Sequence, residues 1–292
     1  MTPAQKRELV HRLHRQEGVP VAVGCRLLNL ARSSCYYCST ASEDIPLVAA
    51  VTDIATRFTT YGSRRITQEL RREPYARRVN RKRIQRVMRR HVARPRARSG
   101  CRTTNSAHGQ PRYPNLVKDV RIERPEQVWV CDITYIRLNT GFVYLAIILD
   151  VFTRAIRGWH LHPTLDGELS LRALQRALAE RRPEIHHSDQ GIHYAAQAYT
   201  ALLQQHGIQI SMAARGQPLE NPYAERVIRT LKQEEVYLSD YQDFTDVWWQ
   251  VGRFIDDVYN VKRIHSALGY LTPVEFEQRW CEALEAVKSP LR

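Results

Sequence analysis

Residues 127–138, "QVWVCDITYIRL", form an alternating run of β-branched and aromatic residues with one carboxylate, Asp132, near its middle. That period of two predicts a strand. Two more strands follow at once: "GFVYLAIILDVFTR" after an Asn-Thr-Gly turn, and "AIRGWHLH". Three strands joined by short turns predict an antiparallel meander. The pattern then changes: "DGELSLRALQRALAERR" (166–182) is a helix, "PEIHHSD" a fourth strand, "AAQAYTALLQQHG" a helix and "IQISM" a fifth strand. A meander followed by alternating helices and strands confines this part of the chain to the α/β class, with a mixed five-stranded sheet flanked by helices.

The charge lies elsewhere. Residues 1–112 hold 24 Lys and Arg against 7 Asp and Glu, a net of +17. Residues 113–292 hold 20 against 23, a net of −3. The formal +14 of the whole chain therefore belongs to its first part. A field so concentrated is the footprint of a polyanion binder, nucleic acid above all.

The basic part reads as helices. In residues 1–44, "VAVGCRLLNLARSSCYY" has the pattern of a helix-turn-helix, with Ser33 or Ser34 capping its second helix. In residues 45–92, Leu47, Val48, Val51, Ile54, Ala55 and Phe58 fall on one stripe of a helix. A second helix follows with Ser63 as its expected N-cap, carrying Arg64 and Arg65. Asn80 is placed to cap a third, in which Ile84, Val87, Met88 and His91 form the inner stripe. Arg81, Lys82, Arg83, Arg86, Arg89 and Arg90 cover the rest of that helix, as suits a helix-turn-helix-type module on DNA. Residues 93–118 are rich in Pro, Arg, Ser and Gly and read as a basic linker. Residues 119–238 hold the sheet, and residues 239–292 form a C-terminal helical extension.

Hydrophobic residues make up 43% and charged residues 25%, a globular balance. The first twenty residues contain no apolar signal region, and the longest apolar run, "GFVYLAIIL", is too short to span a bilayer. The expectation is a cytoplasmic protein with no membrane partner. Six scattered cysteines read as reduced thiols. His11-x2-His14 and Cys35-x2-Cys38 have the spacing of a tetrahedral zinc set. Their polar, tyrosine-flanked surroundings favour plain helical packing instead.

Three acids occupy positions that a metal site wants. Asp132 sits inside an apolar strand, where a carboxylate needs a partner or a cation. Asp189 follows the fourth strand beside a Gln-Gly turn, and Glu225 lies in the first turn of the helix "YAERVIRTLKQEEVYL". On that helix Arg229 and Lys232 share Glu225's row, next to the buried stripe of Ala224, Val227, Ile228 and Leu231. Two neighbouring strands and one helix can bring such acids to one sheet edge, and hard oxygen ligands suit Mg²⁺ or Mn²⁺.

"WVCDITYI", "HHSDQGIHY" and "NPYAERVIRTLKQEE" resemble the three catalytic blocks of DDE transposases and retroviral integrases. Thirty-five residues separate Asp189 from Glu225, the separation typical of that family, and Lys232 stands seven beyond Glu225. "YNVKRIHSALGYLTPVEF" is similar to the end of two-frame bacterial insertion-sequence transposases, and "YGSRRITQELRR…NRKRIQRVMRRH" to the helix-turn-helix module of their second-frame product. The similarity extends over roughly residues 20–280.

The resemblance implies a ribonuclease-H-like core preceded by all-α helix-turn-helix-type DNA-binding modules. It implies Asp132, Asp189 and Glu225 as catalytic acids and ligands of two Mg²⁺ or Mn²⁺ ions. Arg229 and Lys232 would hold phosphates, with Asp150 and Asn221 in supporting roles. The implied partners are the element's terminal inverted repeats, target DNA and at least a second copy of the chain, in the bacterial nucleoid. One departure stands out: Glu220 occupies a place where many relatives carry an aspartate. Two other functions fit parts of the pattern. One is a DNA-binding accessory that needs an upstream-frame fusion partner. The other is a nuclease without strand transfer, against which the basic module and the long block after Glu225 argue.

Overall fold

Thr2 opens the first helix, α1 (Pro3–Glu17), with a reciprocal cap. Its hydroxyl accepts from the Gln5 amide, and the Gln5 side chain accepts from the Thr2 amide. Gly18 ends the helix at φ +66°, the left-handed region that favours glycine. Two short helices, α2 (Val21–Leu27) and α3 (Arg32–Cys35), pack with α1 around Val10, Cys25 and Cys35. Neither Ser33 nor Ser34 is a cap: α3 already begins at Arg32, so both serines lie inside it. These helices belong to one structural unit, residues 1–48, and residues 49–292 form a second. The computed structural model describes residues 1–37, 44–92, 112–138, 141–214 and 220–288. Cys38, Cys101 and most of the expected linker 93–118 fall outside that set.

The second unit begins within α4 (Ile45–Arg57), followed by α5 (Ser63–Glu69) and α6 (Arg81–His91). Val51, Ile54, Ile66, Leu70, Ile84 and Met88 are buried, as the helical period requires. Asn80 caps α6 by accepting from the Lys82 amide at 2.8 Å. Two expectations are corrected. Gly62 occupies the N-cap of α5 and Ser63 is already helical. His91, expected in the inner stripe, is exposed, because α6 ends there as Val92 turns to an extended conformation.

The five strands are β1 (Val128–Leu138), β2 (Gly141–Asp150), β3 (Ile156–His162), β4 (Ile185–Ser188) and β5 (Gln209–Met212). They lie in the order β3-β2-β1-β4-β5, with β1 to β3 antiparallel and β4 and β5 parallel to β1. The central strand, β1, is thus covered on both faces. On one face Trp129, Cys131, Ala146 and Ile148 pack with α7 (Gly167–Leu178) and α8 (Gln197–Gln205). On the other, Val128, Val130, Leu145 and Ile147 pack with α9 (Pro222–Leu231) and α10 (Phe244–Arg253). Each large side chain so buried stabilises the fold by about 1.5–3 kcal/mol. Close approach of α7 to β3 depends on Gly158, where an added Cβ would meet the Ala173 carbonyl oxygen at 2.3 Å.

Beyond Leu231 the backbone of α9 widens into a π-type turn over Lys232–Val236, and α10 does the same over Phe254–Tyr259. The last helix, α11 (Pro273–Lys288), starts from a reciprocal cap between Thr272 and Glu275. No helix among the described residues is long and apolar enough to cross a membrane.

Candidate active site

The alternation of β1 decides where Asp132 points. Even-numbered neighbours Val128 and Val130 face the α9 layer, so Asp132 does too. Asp150 pairs with Trp129 across β1 and β2 and shares its face, the α7 layer. Asp150 is fully buried, and both its oxygens are engaged: one accepts from the Glu126 amide at 2.7 Å, the other from the Thr153 amide and hydroxyl at 2.7 and 3.0 Å. It braces the β2–β3 turn.

β4 brings Asp189 alongside. The parallel register sets Val130 against His187, and Asp189 follows just past the end of β4, near enough for its charge to act on Asp132. Asp189 Oδ1 accepts from the Gly191 amide at 2.9 Å, and a Cβ at Gly191 would lie 2.9 Å from that oxygen. The Gln-Gly turn therefore leaves room for the carboxylate.

Glu225 comes from the first turn of α9. Pro222 pre-sets that turn, while Ala224, Val227, Ile228 and Leu231 anchor the helix to the sheet. Asn221 stands at the N-cap position but does not cap. Its side-chain amide donates to the Cys131 carbonyl at 2.9 Å, tying the start of α9 to the residue before Asp132. His187 braces the same junction from β4. Its Nε2 donates to the Glu220 carbonyl at 3.2 Å and its Nδ1 accepts from the Ser211 hydroxyl at 2.8 Å, and burial lowers its pKa. Glu220 accepts from Asn115 and from the Ala214 amide, at 2.9 and 2.7 Å, so it ties the residue before Asn221 to the segment that follows β5.

The three acids feel one another. Burial, then the Asp189 charge, push Asp132 up to about 7; Glu225 adds to the rise, while the Ile133 amide and Lys232 oppose it. The Lys232 ammonium lies 4.5 Å from the centre of the Tyr135 ring, and burial draws its pKa down against the pull of Asp132. Arg229 reaches Glu225 at 4.0 Å, with both side chains well exposed. Among the described residues, no three His, Cys, Asp or Glu side chains are gathered closely enough to hold a metal ion. The donor set is nonetheless one that suits a hard cation: all oxygen and mutually repelling. Asn221 Oδ1 is also buried there with no hydrogen-bond partner, an acceptor that fits uptake of a hydrated ion.

The other sequence candidates lie apart. Arg64, Arg81, Lys82, Arg83, Arg86, Arg89 and Arg90 are on the exposed surface of α5 and α6. Arg65 is turned instead to Glu234, at 3.3 Å. In the first unit, His14 Nδ1 lies 2.9 Å from the Val19 carbonyl and His11 Nε2 3.9 Å from Cys35 Sγ, while Cys38 is outside the described residues. Sequence reasoning missed Arg154, whose guanidinium stacks 4.1 Å from the ring centre of Tyr223 in the first turn of α9. Arg154 sits at φ +62°, a conformation that no local sequence pattern announces.

Comparison with known proteins agrees with this architecture. Two integrase core domain families match residues 122–218 and 206–273, and an HTH-like domain family matches residues 42–98. The chain is 35% identical over 272 residues to the transposase InsF for insertion sequence IS3A of Escherichia coli, covering 87% of this chain and 93% of that protein. It is 34% identical over 245 residues to the 31 kDa protein of insertion element IS600 of Shigella sonnei, covering 82% and 89%. Among solved structures, the magnesium complex of the HTLV-2 integrase catalytic core domain, in its dimeric form, aligns with a TM-score of 0.41. It shares 15% identity over 52% of this chain and 97% of that one. At 35% identity over nearly the whole of an insertion-sequence transposase, and with an integrase core behind a helix-turn-helix-like domain, the chain belongs to the family of insertion-sequence transposases.

Proposed function

We propose that this transposase uses Asp132, Asp189 and Glu225 to cleave DNA at insertion-sequence ends and to join the freed 3′-OH to target DNA. The observation that carries the proposal is the gathering of three acids, one from β1, one from the end of β4 and one from the first turn of α9, at a place where burial first and the charges of Asp189 and Glu225 after it raise Asp132 to about 7. A structural carboxylate would be paired with a cation or fully hydrogen-bonded, as Asp150 is by its turn. Asp132 instead faces two other acids.

Asp132, Asp189 and Glu225 would hold one or two Mg²⁺ or Mn²⁺ ions. Bound there, the metal supplies Lewis-acid polarisation of the phosphate and acidifies its water. The chain supplies the rest. Asn221 and His187 fix the start of α9, so that Glu225 stands opposite β1 and β4. Lys232, braced on Tyr135, and Arg229 present positive charge to the phosphates on either side of the scissile bond. In-line attack by water breaks the bond between phosphorus and the element's 3′ oxygen; attack by that 3′-OH on a target phosphodiester then forms the joint as the target's own 3′ oxygen leaves and takes up a proton. The surface arginines of α6 hold the terminal DNA and set its register. Joining two ends takes at least two copies of the chain.

The test is strand transfer by purified protein with Mg²⁺ and labelled DNA carrying the element's own end, with Asp189→Asn alongside. Joined product from the wild type and none from the variant is expected. Binding without nicking or joining by either protein would identify the chain as a binding accessory that needs an upstream-frame partner.

A further inference from the structure

The cluster around Glu234 lies outside the acid site but on the same helix. Glu234 stands two residues beyond Lys232, in the π-type turn that ends α9. Within that turn the two side chains leave in different directions: Lys232 lies over Tyr135 of β1, while Glu234 turns to two guanidiniums. Arg263 grips it with both prongs, Nε to Oε2 at 2.7 Å and Nη2 to Oε1 at 2.8 Å, and is almost completely buried. Arg65, from α5, donates to Oε1 at 3.3 Å and stacks on Tyr61, 5.2 Å from its ring centre. Burial and the charges of Arg263 and Arg65 drive His265 down to about 2, so it stays neutral beside them.

The contacts around this cluster all join the same two regions. The buried Tyr61 hydroxyl accepts from the Ile264 amide at 3.0 Å. Arg72 pairs with Glu275, the capping residue of α11, and its Nη1 donates to the Tyr270 carbonyl. The α4–α6 module is therefore seated on the segment 263–275 through side chains that have given up most of their water. A carboxylate shared by two arginines in such a place is hard to release, since removing one partner strands charge away from solvent.

We propose that Arg65, Glu234 and Arg263 form a clasp that fixes the basic module relative to α9, so that DNA held on α6 meets the acids at one set distance. Arg65 is then a positioning residue that acts through Glu234 rather than a contact to DNA. Glu234 is the point where the module's placement is passed to the helix that carries Glu225 and Lys232. The inference rests on the functional reading above for its catalytic consequence, but the clasp itself is testable without catalysis.

The experiment compares Arg65→Gln, Arg65→Lys, Glu234→Gln and Arg86→Gln in the full chain. DNA affinity across a salt series, the position of the nick, the yield of joined product and hydrogen exchange at the Ile264 amide are measured. The clasp predicts that Arg65→Gln and Glu234→Gln bind end DNA within about twofold of the wild type, with an unchanged salt slope. Their joining falls at least about tenfold or their nicks scatter over neighbouring positions, and Ile264 exchange rises while the β1 amides stay protected. Arg65→Lys restores part of the joining. Arg86→Gln instead weakens binding and lowers the salt slope by about one. The clasp is overturned if Arg65→Gln behaves like Arg86→Gln while Glu234→Gln matches the wild type. Unprotected exchange at Ile264 in the wild type also overturns it, because the module is then not seated. If the wild type neither nicks nor joins, the functional reading fails, and exchange with the binding series still decides the clasp.

Discussion

Asp132 is unstable where it stands, and that has a measurable sign. Its folded-state pKa, about 7, lies above the ordinary 3.8, so the fold favours the protonated form. In metal-free protein this contribution is present at low pH and is lost as pH rises through the interval from about 4 to 7. Asp132→Asn removes the penalty. Its Tm in chelator is expected to exceed that of the wild type by several degrees at pH 8, with the gap closing towards pH 4. Added Mg²⁺ should raise the wild-type Tm and leave the variant's unmoved; calorimetry over this pH range checks both, and no gap at pH 8 would contradict the site's electrostatics. Where the three acids sit in the fold was legible in the sequence because each position announces itself locally: a charge in an apolar strand, a carboxylate before a Gln-Gly turn, an acid in a first helical turn. Asn221's diversion from cap to tether was not legible, since an Asn before a Pro at a helix start looks the same whether or not it caps.

At the scale of elements, the layer contacts are what hold the acid-bearing strand in place. β3 lies so close to α7 that a methyl group at position 158 would overlap the Ala173 carbonyl oxygen at 2.3 Å and the Ala177 Cβ at 2.8 Å. Gly158→Ala should therefore destabilise the second unit by about 1–3 kcal/mol, as overpacking does. Urea unfolding followed at the buried tryptophans measures it, and an unchanged midpoint would mean the layers slide freely. Alternation is visible in the second half of β1 and in β3, whereas β2, β4 and β5 are buried on consecutive positions and were readable as short apolar runs bounded by turn residues. Helix ends were less so. Ser63 and Gly62 both suit a cap, and the sequence prefers the hydroxyl where the chain uses the glycine. His91 continues the helical period, yet the helix has already ended.

For the whole molecule, charge and chemistry are divided: the net +17 lies in residues 1–112 and the acids lie in a part of net −3. Binding to DNA should accordingly weaken steeply with salt. Each Arg→Gln change among Arg81, Arg83, Arg89 and Arg90 is expected to lower the slope of log affinity against log salt by about one, whatever the DNA sequence. A slope insensitive to all four would remove α6 from the DNA interface. The docking of the module was invisible in the sequence, because no periodicity relates its partners: Arg65 and Glu234 are 169 residues apart, Tyr61 and Ile264 203. That separation also orders events during synthesis. The module's helices emerge from the ribosome long before the segment that receives them, so their seat is the last part of the unit to be made. A chain cut short between residues 226 and 262 keeps its basic helices and all three acids but lacks the segment that receives Tyr61 and grips Glu234. Residues 263–275 thus complete the seat of a module made some two hundred residues earlier.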